Sequence, residues 1–95
     1  MSLEAKYNFE DLYNAAEELV FAELEAQLER ADDSVPRDQD SVVDMAAFAL
    51  NLVTPMYRAN LLGRIYAPAL SEEHHREIEK AVKKAIGKIS NNPPD

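Results

Sequence analysis

Apolar residues in this chain recur at steps of three and four along most of its length, and no segment alternates apolar and polar positions over a useful strand length. That is a helix period. Only two of the 95 residues are glycine and neither sits in a turn-rich cluster, so the breakers that a chain of short strands needs are missing. The reading is all-α: a small single domain of about four helices over residues 1–95, with flexible ends at about 1–7 and 90–95. A chain this short encloses one core, which excludes a second domain. With no cysteine, neither disulfides nor thiolate metal sites can hold it together.

The spacing predicts a first helix from about Asn8 to Arg30, with Phe9, Leu12, Tyr13, Ala16, Leu19, Val20, Leu24 and Leu28 on one stripe. Phe21 lies off that stripe and suggests a second contact surface. Residues 31–39 are polar, contain Pro36 and read as a loop. Asp40 or Ser41 is expected to cap a second helix, with Ser41 and Asp44 at a capping-box spacing. Between Val42 and Val53 only Asp44 and Asn51 are polar. A helix apolar nearly all round needs cover on more than one side, and two other substantial helices supply little of it. The second helix is therefore expected at the centre of a homodimer. Pro55 ends it. A short amphipathic helix is expected over Met56–Tyr66, interrupted by Gly63 and closed by Ala67-Pro68. Ser71 then caps a last helix, with Glu72 and Glu73 in its first turn, lysines towards its end, and a stripe of Ile78, Ala81, Val82, Ala85, Ile86 and Ile89.

Ten Lys and Arg against 18 Asp and Glu give a net charge of −8, which opposes binding to DNA or RNA polymers and to anionic membranes. The charge is unevenly distributed. Residues 1–44 hold 13 acids and three bases, whereas 45–95 hold five acids and seven bases. From Met45 to Ser71 there is no acid at all, and the formal charges are Arg58 and Arg64. No apolar run is long enough to span a bilayer and no secretory signal is evident, so a cytoplasmic location is expected.

Neither a phosphate-binding glycine loop nor a nucleophile–base signature is present, so no enzymatic activity and no cofactor are expected. His74 and His75 are adjacent and point about 100° apart on a helix, which prevents chelation from one face. Glu72 and His75 have the i, i+3 spacing of carboxylate-bridged di-metal bundles, but a single copy fits a solvated helix start better, and no metal is expected. The 51–66 segment is different. Asn51, Tyr57, Arg58, Asn60, Arg64 and Tyr66 bring together planar donors, aromatic faces and positive charge. Arginine can fork onto a guanine edge or a phosphate, and tyrosine can stack on a base. On residue types alone, tyrosines at the rim of a core and solubilising arginines are the simpler reading.

A resemblance bears on that choice. EELVFAELEAQL in the first helix, followed by VDMAAFALNLVTPMY with its Ala49-Leu50-Asn51 and Pro55-x-Tyr57, resembles the ComFB (late competence protein) family over roughly residues 8–66 and, more weakly, 74–93. The lack of cysteine in the 31–39 loop resembles the cysteine-free, cyanobacterial-type branch, so zinc is not carried over. The resemblance implies a small all-α homodimer that senses cyclic di-GMP, linked to competence and motility, and relays the state of that second messenger to a protein partner. Arg58 and Arg64 are then candidates for phosphate or guanine, Tyr57 or Tyr66 for stacking, Asn51 for a helix cap or a base, and Arg37 for a further contact. These roles come from chemistry and position. The alternative is a ligand-free helical dimeric adaptor or scaffold.

Overall fold

The computed structural model describes residues 2–59 and 72–92. In chain order they form α1 (Leu3–Lys6), β1 (Tyr13–Asn14), α2 (Ala16–Arg30), α3 (Gln39–Leu52), β2 (Tyr57–Arg58) and α4 (Glu72–Asn91). The fold is mostly helical, as the periodicity predicts, but it is not purely so: β1 and β2 pair antiparallel in a two-stranded ribbon. The last helix agrees closely with its pattern. Ile78, Ala81, Val82 and Ala85 are buried, and Ile86 and Ile89 pack against the same core.

That core lies where α2, α3 and α4 meet, with α3 packed most extensively on α4. α2 contributes Ala16, Val20 and Leu24, and α3 contributes Met45 and Ala49. Four of the buried residues, Ala16, Ala49, Ala81 and Ala85, are alanines, which lets the helix backbones approach closely. Gln27 fastens α2 to α4 by donating from Nε2 to the Glu79 carbonyl at 3.0 Å.

Three expectations are corrected. First, α2 begins at Ala16 and not near Asn8; Phe9 and Leu12 continue the helical spacing but are exposed, and the chain around them forms a turn that leads into β1. Second, the cap of α3 is Asp38, whose carboxylate accepts the Ser41 N–H at 3.2 Å. Ser41 is buried within the first turn of α3, and Asp44 is exposed further along the helix. Third, Met56–Ala59 is not helical, because the chain leaves α3 extended and pairs with β1. Gly63, Ala67, Pro68 and Ser71 lie outside the described residues. Among the described residues no helix is long and apolar enough to cross a membrane.

The capping bonds from Ser41 hold the Asp38 carboxyl below its ordinary value of 3.8. A depressed carboxylate pKa stabilises the fold above the unfolded value, and that contribution is lost as pH falls through the folded one. The thermal midpoint of the wild type is therefore expected to drop between about pH 5 and about pH 3 by more than that of Asp38→Asn, which keeps an accepting oxygen but cannot titrate. Melting curves followed by circular dichroism at the two pH values check this; equal drops would remove the role of the ionised cap.

Candidate functional site

The ribbon is the place where the segment singled out for its tyrosines and arginines meets the rest of the molecule. Val53 ends α3 by donating its N–H to the Ala49 carbonyl at 3.2 Å, and Pro55 disfavours helical geometry in the preceding Thr54. Two side chains then fix its path. Asn14 Oδ1 accepts the N–H of Met56 at 2.8 Å and that of Ala16 at 3.1 Å, so one carboxamide holds both the entry of β2 and the first turn of α2. The Ala15 N–H returns to the Met56 carbonyl at 2.8 Å. On the other side, Glu77 of α4 accepts from the Thr54 N–H at 2.5 Å and from its hydroxyl at 3.0 Å. The run from Met45 to Ser71 is thus free of acids in sequence but not in space.

Register decides which side chains share a face. Tyr13 stands opposite Arg58, and Asn14 opposite Tyr57. Successive strand residues point to opposite faces, whereas directly opposed residues lie side by side. Tyr57 and Arg58 therefore diverge, and the aromatic ring beside Arg58 belongs to Tyr13. Both members of that cross-strand pair are half-buried, while Tyr57 on the opposite face is 65% exposed. Asn51 is exposed in the last turn of α3. Arg64 and Tyr66 lie outside the described residues.

Arg37 is far from this arrangement in role. Its guanidinium donates to the carbonyls of Leu28 (2.6 Å), Val35 (2.8 Å), Ala31 (3.0 Å) and Asp32 (3.2 Å), gathering the end of α2 and the following loop. Asp32 in the same loop is held ionised below its ordinary pKa by bonds from the Ser34 hydroxyl and N–H, with a smaller contribution from Arg37. Arg37, a candidate for a further ligand contact, is thus engaged by backbone carbonyls. Asn14, Glu77 and Tyr13 were missed. Asn14 had a visible signal, an Asn two residues before a helical alanine, but Glu77 and Tyr13 act only through partners distant in the chain.

The model of late competence development protein ComFB matches residues 13–93. The chain belongs to the ComFB family. No protein of curated function matches it significantly. The ComFB match opens at Tyr13, the first residue of β1, and runs beyond the end of α4. Both strands of the ribbon therefore lie inside the family's domain, as do the three long helices, while α1 and the exposed segment leading from it lie outside.

Proposed function

We propose that this ComFB protein is a cytoplasmic receptor for a cyclic dinucleotide, cyclic di-GMP first, which acts as a homodimer and relays the bound state to a protein partner without catalysing a reaction. The observation that carries the reading is the ribbon. It sets Arg58 beside Tyr13 on one face and leaves Tyr57 open on the other. A guanidinium next to an aromatic ring suits a guanine, whose edge accepts a fork and whose face stacks, and the same guanidinium suits a phosphate. Asn51, Arg64 and Tyr66 remain candidates for the second base and phosphate, and Arg37 is the weakest candidate because its donors are engaged.

A homodimer is supported by surface left open at the same end. Leu52 follows Met45 by seven positions and Ala49 by three, which turns it to the core side of α3, yet it is 45% exposed. Leu12 before β1 and Tyr57 in β2 add exposed apolar area there. A two-fold axis at this end would double the ribbon for a ligand that itself has two-fold symmetry.

Calorimetry with cyclic di-GMP and cyclic di-AMP tests the reading. Binding is expected for the wild type, weakened by about tenfold or more in Arg58→Ala, since charged hydrogen bonds contribute about 1.5–3 kcal/mol. An absence of heat with either ligand at tens of micromolar would leave the dimeric adaptor, which the exposed apolar side chains also favour.

A further inference from the structure

The surface of α2 and α3 turned away from α4 carries a groove of about 430 Å³ that the dinucleotide reading does not use. Its floor is Leu28, Val42 and Ala46, and its sides are Phe21 and Val43, which are 49% and 52% exposed. Leu24, Glu25 and Glu29 complete the lining, and no lysine or arginine takes part. The surroundings have the same sign. α2 also carries Glu17 and Glu18, and its single base, Arg30, lies 3.9 Å from Glu23. α3 has Asp40 and Asp44 on either side of Val43 in sequence and no base at all.

We infer that this groove docks a basic amphipathic helix of another protein, its apolar side chains between Phe21 and Val43 and its lysines or arginines against Glu25 and Glu29. An amphipathic helix fills such a groove with anchors at i, i+4 and i+7, and complementary charge sets its orientation and speeds its arrival. The described parts of a second copy fit poorly. Two grooves meeting across a two-fold axis would set Glu25 and Glu29 against their own kind. The exposed apolar arm of residues 2–12 has three acids, Glu4, Glu10 and Asp11, against one base, Lys6. The lysines of α4 lie on a helix whose apolar stripe is already in the core. The surface is separate from the ribbon, so it would serve a partner whether or not the protein binds a dinucleotide.

The test is a titration of the ¹⁵N-labelled full chain with two synthetic helical peptides, one with leucines on one face and lysine and arginine on the other, and one with glutamate in place of those bases. The basic peptide is expected to shift the amides of Phe21, Glu25, Val43 and Ala46, and to bind more weakly as salt is raised. The double variant Glu25→Lys/Glu29→Lys is expected to lose about tenfold or more of that affinity and to gain affinity for the acidic peptide, and Val43→Ser to weaken binding of the basic one. Each substituted side chain is exposed, and circular dichroism of each variant checks that the fold persists. Equal binding of both peptides, shifts confined to other surfaces, or no binding would overturn the proposal. So would a dimer that Val43→Ser converts to monomer in light scattering, or Overhauser contacts from the Val43 methyls to residues 60–71 of the same chain.

Discussion

Replacing Met45 with alanine is expected to remove a large share of the stability of this domain. Met45 is fully buried on α3 and is the largest of the fully buried side chains among the described residues. Much of the core around it is alanine, and alanines cannot extend into a vacated space. A Met→Ala change at such a site costs about 2–5 kcal/mol, the upper part of the range applying where neighbours cannot collapse. A domain of this size has about 5–15 kcal/mol in total. Urea denaturation of Met45→Ala is thus expected to show a much lower midpoint with little change in slope. Met45→Leu, which nearly conserves volume, is expected to lose less than about 1.5 kcal/mol. Equal losses in the two variants would mean that the thioether, and not the filled volume, matters at this position.

Asn14→Ala is expected to separate the ribbon from the helices. The carboxamide oxygen accepts two backbone N–H groups, one at the start of α2 and one at the entry of β2, beside the bond from the Ala15 N–H to the Met56 carbonyl. Loss of a partly buried acceptor leaves both donors without it, at a cost of about 1–3 kcal/mol. Asn14→Asp keeps an acceptor for the same two N–H groups and is expected to restore most of the loss. Helix content should survive in both variants, because the core of α2, α3 and α4 does not include the ribbon. Affinity for cyclic di-GMP, if the ribbon carries it, should fall in Asn14→Ala and recover in Asn14→Asp. Thermal denaturation paired with calorimetry separates the two effects; a variant with an unchanged midpoint would show that the clasp contributes nothing.

How far the sequence reveals this molecule depends on the range of the interactions. α4 is legible almost to its ends, because its apolar stripe, its acidic first turn and its lysines are all set within a few residues of one another. The buried positions of α2 follow from the same local periodicity, whereas α3, apolar nearly all round, does not mark Met45 and Ala49 as its inward residues. The start of α2 is not legible in that way: Phe9, Leu12 and Tyr13 keep the helical spacing while Tyr13 belongs to a strand. Nothing near residues 13–14 announces a partner at 57–58, and two-residue strands carry no alternation to detect. The family pattern places Pro55 and Tyr57 together, but the face that each side chain occupies follows from the register with β1. Arg37 marks the same boundary. A lone arginine after a proline has the chemistry of a ligand contact until the chain is seen to bend four carbonyls towards it.

The ribbon also bears on the order in which the molecule is expected to assemble. Asn14 and Met56 are separated by 42 residues, and the chain between them comprises α2, its loop and α3. Closing so long a loop costs conformational entropy that two short strands cannot offset alone, whereas helices and their local contacts form without it. The helical hairpin is therefore expected to fold first and carry the two strands towards each other, with the Asn14 bonds completing the closure. In native-state hydrogen exchange the amides of Ala16 and Met56 are then the ones to open at low free energy, well before Val20 or Val82. A ligand seated on the ribbon would protect those two amides first, so their exchange would report that something has bound.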